Sequence, residues 1–296
     1  MSAQSATVKP AARSLHWRRF VRRTLPGAIS YTLLTLVGIA FFVPFLWLVI
    51  TSLKPMSQVF TYPLTWVPHP IMWSNYPDAL THPGFPFLRL LGNSLQYSVL
   101  STIGVTVASA MAAYAFARIP FRGRSILFAA TLATMMIPGV VTMVPTYLIF
   151  KWLGWIGSYK PLIIPSFGGG AFYIFMLRQF MMTLPWDLSD AARVDGASEA
   201  HILLRIMLPL MKPALLVVVL FNFMGCWNDF MGPVIYLNNT DLFPLSLGLF
   251  AFLGRSERKW NLLMAAAMVI TVPMVTIFFL AQRQFIEGIT MTGLKG

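Results

Sequence analysis

Apolar residues run in long blocks along this chain, and six of the blocks match or exceed the helical length, about 20 residues, that spans a hydrocarbon layer. They lie near 29–53, 93–117, 125–150, 162–182, 213–237 and 261–282. The pattern predicts an all-α, polytopic membrane protein with about six transmembrane helices. Its parts are a basic N-terminal tail over 1–28, a six-span domain over 29–285 and a C-terminal tail over 286–296. Two long intervals separate the blocks: 54–89, rich in proline and aromatics, and 183–212, which is mostly polar. No internal repeat or low-complexity tract is visible.

Small and helix-breaking residues recur inside the blocks. Ser101, Gly104, Ala108, Ala112 and Ala115 fall at steps of three or four, which predicts a groove in the second span for another helix. Pro138 and Pro145 share one face of the third span, and each removes a backbone hydrogen bond. Pro165 and the triplet Gly168, Gly169, Gly170 weaken the fourth span comparably, the glycines through backbone freedom. Carbonyls freed inside a membrane need a protein or water partner, so these breaks suit either a solute pathway or packing alone.

The most costly polar cluster lies in the fifth span. At 3.6 residues per turn, Asn222, Gly225, Cys226, Asp229 and Gly232 fall on one side of a helix. Asp229 is the only acidic residue in any of the six blocks. An isolated carboxylate facing lipid costs about 3 kcal/mol on insertion scales, so Asp229 is expected to face protein or water. It stands roughly 24 Å along the helix from Pro213, near one boundary rather than mid-membrane.

Composition agrees with membrane insertion: 57% of residues are hydrophobic and 10% charged, against roughly 25% charged in a soluble domain. The formal net charge of +13 has a topological explanation. With the N-terminus in the cytoplasm, 15 of the 22 Lys and Arg fall on the inner side, leaving Lys54, Arg89, Lys151, Lys160, Arg255, Arg258 and Lys259 outside. The positive-inside rule therefore places both termini and 183–212 in the cytoplasm, and 54–89 outside. Bases scattered over short loops do not make a nucleic-acid surface, so no nucleic-acid partner is expected. The first apolar run is too long for a signal-peptide core and has no small-residue cleavage site, so it is expected to stay as a span. With one cysteine, Cys226, no intrachain disulfide forms.

The interval 183–212 predicts a helical hairpin. Asp187 is a candidate N-cap with Asp190 three residues on, Gly196 ends the first helix, and Ser198 caps a second that runs to Pro209. Ala191 and Ala192 keep the first helix low enough for another protein surface to approach. Asp190, Ala191, Ala192, Asp195, Gly196, Ala197, Leu208 and Pro209 reproduce the pattern of an acidic residue, two alanines, two variable positions, Asp-Gly-Ala and a later Leu-Pro. That pattern resembles the cytoplasmic EAA coupling loop of permease subunits in binding-protein-dependent ABC importers, with Asp190 in place of the usual Glu. The Trp227, Asn228, Asp229, Phe230 run and the Gly288 to Gly296 tail resemble segments of the carbohydrate-importing group, which includes the smaller maltose permease.

The resemblance implies roles and partners. Asp190, Ala191, Ala192, Arg193, Asp195, Gly196, Ala197 and Pro209 would couple the chain to an ATPase. Asn222, Trp227, Asn228 and Asp229 would line the substrate pathway, an aromatic face beside amide and carboxylate groups suiting a sugar; a structural hydrogen-bond knot between helices is the alternative. The partners implied are a second related permease, two cytoplasmic ATP-binding subunits and an external solute-binding protein, all around membrane lipid in the inner membrane. No GxxxxGK[ST] phosphate cradle is present and the four histidines are dispersed, so no cofactor or metal is expected on this chain; ATP and Mg would be used by the partner ATPases. An ion-coupled carrier working alone and a membrane scaffold are the competing classes. The first normally needs a carboxylate or histidine relay deep in the membrane, for which a lone boundary-side Asp229 is poor support.

Overall fold

The computed structural model describes the backbone over 13–253 and 258–293, and side chains at 27, 29–253 and 258–282. Among the described residues the fold is helical without strands. α1 (Arg13–Ser52) leads through an irregular segment with the short α2 (Asn75–Leu80) into α3 (Phe87–Arg118), the longest buried element. Then come α4 (Arg124–Thr134) and α5 (Gly139–Trp152), α6 (Lys160–Ile163) and α7 (Ala171–Thr183). The hairpin is α8 (Asp187–Val194) and α9 (Glu199–Leu210). α10 (Lys212–Trp227), α11 (Met231–Tyr236), α12 (Leu245–Gly248) and α13 (Trp260–Gly293) complete the chain.

Four stretches are apolar and long enough to span: Ile29–Ser52, Phe87–Arg118, Lys160–Thr183 and Trp260–Gln282. Two bent pairs, α4 with α5 at 99° and α9 with α10 at 82°, raise the number to as many as six if each counts as one span; α9 is also the second arm of the hairpin. The α4–α5 break falls just before Pro138, whose fixed φ opens α5, while Pro145 is carried inside α5. In the fourth span a 3₁₀ turn over Ile164–Gly168 precedes Gly169, at φ +80°. Only glycine takes that left-handed value without cost, and a Cβ there would also meet the Ser109 hydroxyl at 3.3 Å.

α3 is the spine on which these broken spans are tied, through serines more than alanines. Gly104 does admit another group, Phe167, whose ring would lie 2.8 Å from an added Cβ. Ala108, Ala112 and Ala115, however, are only half-buried; the buried line is rotated to Ser94, Ser98, Ser101, Val105, Ser109 and Ala113. Frayed backbone explains the shift. Ser101 donates to the Leu162 carbonyl at 3.1 Å, the Gly170 amide donates to Ser109 at 3.0 Å, and the Leu245 amide donates to Ser94 at 2.8 Å. Each serine faces a place where a neighbouring helix starts or breaks and a backbone group has lost its helical partner.

Among the described residues two larger apolar cores result, with a small third around Tyr97, Leu162 and Leu237. One, at the hairpin end, gathers Ala113, Tyr114, Leu177, Met181, Ile202 and Met207 from α3, α7 and α9. The other, at the opposite end, gathers Phe85, Leu90, Trp227, Leu245, Phe252 and Ala265. The segment after α1 is fixed to the second. Asn75 donates to the Ser52 and Lys54 carbonyls, each at 2.9 Å, and receives a bond from Asn261 of α13 at 2.9 Å. By contrast the apolar window of α1 buries no residue against the rest of the chain.

Candidate functional site: the hairpin and the distal helix break

The hairpin turn is built by one glycine. The Gly196 amide donates to the Arg193 carbonyl at 3.0 Å and the Ala197 amide to the Ala192 carbonyl at 2.9 Å. With Gly196 at φ +79°, this is a Schellman closure of α8. Ser198 then caps α9 as expected, accepting from the His201 amide at 3.3 Å. Over Ile202–Met207 α9 widens to a π turn. Pro209 lacks the amide that would bond four residues back, and the wider turn falls directly before it.

The start of α8 differs from expectation. Trp186, not Asp187, holds the cap position, and no side chain bonds the first amides. Asp187 and Asp190 lie within the first turn, where their charge still favours the helix N-terminus. Asp190 reaches forward instead of back, to Arg193 Nη1 at 2.8 Å. The two alanines also part company: Ala191 is exposed, whereas Ala192 is buried in the hairpin-end core and shows only an edge in the depression at the turn. The outward face of α8 is Leu188, Ala191 and Val194, spaced by three, with Val194 88% exposed. At the turn, a depression of about 570 Å³ opens beside Asp195, Gly196, Ser198 and His201.

A network of Arg193, one of the expected site residues, with Glu199, Tyr114 and Arg118, which are not among them, locks this hairpin to the spans. Arg193 donates through Nε to Glu199 at 2.8 Å and through Nη2 to the Arg118 carbonyl at 3.4 Å, while the Tyr114 hydroxyl donates to Glu199. The Arg193 guanidinium holds the Glu199 carboxyl below its ordinary range, with help from Tyr114. Reciprocally, the Glu199 bond raises Arg193 further, against a smaller cost of burial. Arg118, fully buried, donates to the Met181 and Leu184 carbonyls at 2.7 Å each, caps the end of α7, and lies 4.5 Å from the Trp186 ring. The sequence signal for Arg118 is its place at the last turn of a span, which also fits a topology charge. Nothing in the sequence marks Tyr114 or Glu199.

At the other end the fifth span stops at Trp227, and Asp229 manages the break. Its Oδ1 accepts from the Gly232 amide at 3.0 Å, capping α11, and its Oδ2 accepts from Tyr97 of α3 at 2.8 Å. Its carbonyl accepts from Ser246 at 2.6 Å. Asn222 is engaged too, donating to Thr102 at 3.1 Å. Trp227 is a correction. It is 2% exposed, stacks on Phe223 at 5.6 Å and donates to the Ile270 carbonyl at 3.3 Å, so its ring faces the core and not a solute. Of the four pathway candidates only Asn228 is exposed; its Nδ2 donates to the Met224 carbonyl at 2.9 Å.

Both features fall inside one family match. The model described as "Binding-protein-dependent transport system inner membrane component" covers residues 102–290. The chain belongs to this family. It is similar to the arabinooligosaccharide transport permease AraQ of Halalkalibacterium halodurans, 32% identical over 282 residues, covering 93% of this chain and 99% of the relative. The maltose/maltodextrin permease MalG of Photorhabdus laumondii is 29% identical over 308 residues, covering 98% and 100%. The structure of a bacterial ABC transporter that imports alginate aligns with a TM-score of 0.78 at 23% identity, over 90% of this chain and 98% of that one, a likeness of fold. The protein is thus a multi-pass ABC-importer permease. The ion-coupled carrier and the scaffold are set aside by this membership. The Gly288 to Gly296 tail lies outside the residues whose side chains are described.

Proposed function

We propose that this permease forms half of a translocation pathway in the inner membrane. It would carry a sugar or oligosaccharide from an external solute-binding protein to the cytoplasm by ATP-driven alternating access. It pairs with a second related permease and with two cytoplasmic ATP-binding subunits, which use the ATP and Mg; this chain binds no cofactor and catalyses no reaction. Both termini and the hairpin lie in the cytoplasm, and the 54–89 segment outside takes part in docking the solute-binding protein. The unburied apolar face of α1 meets lipid and the second permease. The names of the relatives, among them permeases for arabinooligosaccharides and for maltose and maltodextrin, support a carbohydrate substrate.

The observation that carries the coupling role is the exposed ridge Leu188, Ala191, Val194 on a hairpin that Arg118 and Arg193 fasten to α3 and α7. Closure of the ATPases pressing on this ridge displaces the two spans together, because the joint has few free torsions left to absorb the push. Asp195, Gly196 and Ala197 set the angle of the ridge, and Asp190 orients Arg193. Asn228, on the exposed side of the distal break, is the polar group placed to meet solute. Cysteines at Leu188 or Val194, paired with cysteines across the ATPase cleft, test this in the assembled complex. Crosslinking that depends on nucleotide is expected; absence of crosslinks in every nucleotide state would remove the hairpin from the coupling path.

A further inference from the structure

A second cluster on the hairpin side of the membrane has no counter-charge. α3 ends at Arg118, and the following turn, with Gly123 at φ +83°, delivers Arg122 and Arg124 to the start of α4. Across from them Arg178 stands five residues before the end of α7, roughly 7–8 Å inside that helix terminus. Phe128 of α4, over which the Arg178 guanidinium lies, is one turn on from Arg124. Arg178 donates one bond, Nε to the Phe116 carbonyl at 3.2 Å, and lies 4.1 Å from the centre of the Phe128 ring. Its two terminal nitrogens, and the guanidinium groups of Arg122 and Arg124, make no hydrogen bond or ion pair among the described residues. Every described ion pair is elsewhere.

The surroundings say what kind of anion fits. An open depression of about 610 Å³ is lined by Arg122, Gly123, Arg124, Ser125 and their neighbours. Directly beside it Ile126 is 76% exposed and Leu127 54%, a surface that needs an apolar cover. The Phe116 ring packs against Phe121 at 6.1 Å and Phe128 at 5.4 Å between ring centres. Unpaired guanidinium groups bordering an apolar strip at a membrane boundary match a phosphate joined to hydrocarbon chains. They do not match a free anion, which would leave the strip uncovered. We infer that Arg122, Arg124 and Arg178 form a site for the phosphate of an anionic phospholipid in the leaflet on the hairpin side, with its acyl chain along Ile126 and Leu127. Guanidinium suits this ligand because its planar fork donates to two phosphate oxygens at once. A lipid held there braces α7 close to the point where Arg118 joins it to the hairpin.

Native mass spectrometry of the assembled transporter, exposed to equal amounts of phosphatidylglycerol and phosphatidylcholine, tests the site. Selective retention of phosphatidylglycerol is expected, falling about an order of magnitude in an Arg124→Gln, Arg178→Gln complex. Because Arg178 also holds the Phe116 carbonyl, an Arg122→Gln, Arg124→Gln complex, altered only in the loop and the first residue of α4, is measured beside it and is expected to lose retention too. Equal retention of both lipids, or unchanged retention in both variants, overturns the inference. Displacement of the lipid by millimolar inorganic phosphate identifies a small-anion site and also overturns it. A photo-crosslinker at Ile126 is expected to label lipid; labelling of the ATPase or the second permease instead shows that protein covers the strip and overturns the site.

Discussion

The two ends of the helical bundle solve the same problem with different chemistry. At both, a span stops, the chain turns, and backbone groups lose their helical partners. At the hairpin end the repair is ionic: Arg118 covers carbonyls of α7, and Arg193 bridges Asp190, Glu199 and the Arg118 carbonyl. At the distal end Asp229 accepts from neutral donors, the Tyr97 hydroxyl and the Gly232 amide, Ser94 and Ser101 of α3 meet other frayed backbone groups, and the ion pair found there, Arg89 with Asp241, is exposed and screened by solvent. Charge-assisted bonds are roughly twice as strong as neutral ones and are directional. The bonds to the Asp229 carboxylate are of this kind too; the hairpin end is the stiffer joint, fit to transmit a push, because each guanidinium there bridges two or more partners, whereas the distal break rests on one carboxylate. That contrast is what a lever joined to an adaptable pathway requires.

Arg118→Ala is the largest expected breach. Two carbonyls at 2.7 Å lose a charged donor, each such bond being worth about 1.5–3 kcal/mol, and Trp186 loses its cation. The assembled complex should melt at lower temperature and lose uptake, and Arg118→Lys, with a single ammonium in place of a fork, should recover only part of the loss. Unchanged melting in Arg118→Ala would mean that the end of α7 is held by something else. Next is Gly196→Val. An added Cβ meets nothing within 4 Å, so the penalty that this atom brings is the left-handed φ. That costs on the order of 1–2 kcal/mol and shifts the ridge. Substrate-stimulated ATP hydrolysis should fall while insertion of the spans is kept, and Gly196→Asn, a residue that tolerates this φ, should retain most coupling. Similar losses from Asn and Val would trace the effect to the surface of the turn and not to its backbone.

A smaller effect is expected at the distal end. Asp229→Asn keeps an acceptor for the Gly232 amide and can still bond Tyr97 by reversing the hydroxyl, so uptake and stability should change little. Asp229→Ala orphans both donors and should cost about 1–3 kcal/mol. Asn228→Ala removes no contact with another helix, so a change in solute affinity without a change in melting would assign it to the pathway. Normal affinity would leave the break as a purely structural knot.

How much of this was legible follows from range. The spans could be read because twenty apolar residues need no tertiary context, and Gly196 and Ser198 because a cap is written within three or four residues. Gly169 and Pro138 were visible as breaks for the same reason. What escaped depends on pairs far apart in the chain: Tyr114 with Glu199, Arg118 with Met181, Tyr97 with Asp229. The rotated stripe on α3 belongs here as well. Alanine spacing suggested one face, but the face was chosen by which serines could meet frayed backbone on α6, α7 and α12, and no window of α3 contains that information. Trp227 misled for a related reason, since an aromatic beside Asn and Asp suits a sugar site until its indole nitrogen is found bonded to Ile270, 43 residues away.

The finest test of the contrast between the two ends is pH. Glu199 is held below the ordinary carboxylate range of 4.5 by Arg193 first and Tyr114 second. A depressed carboxyl contributes stability that is fully present above its unfolded pKa and is lost as pH falls through the lower folded value. The contribution of the Arg193 pair should thus be flat from neutral pH down to about 5, then decline across the range below 4.5. Glu199 remains 44% exposed on its side chain, so solvent screens the pair and the decline should be shallow. Melting of the assembled complex measured from pH 7 to pH 3, for the parent and for Glu199→Gln, isolates it. The difference between the two curves should shrink as pH falls below 4.5, because protonation makes the parent resemble the variant. A difference that stays constant through that range would mean that Glu199 acts through packing against α3, and the hairpin joint would owe less to charge than the comparison with the distal end requires.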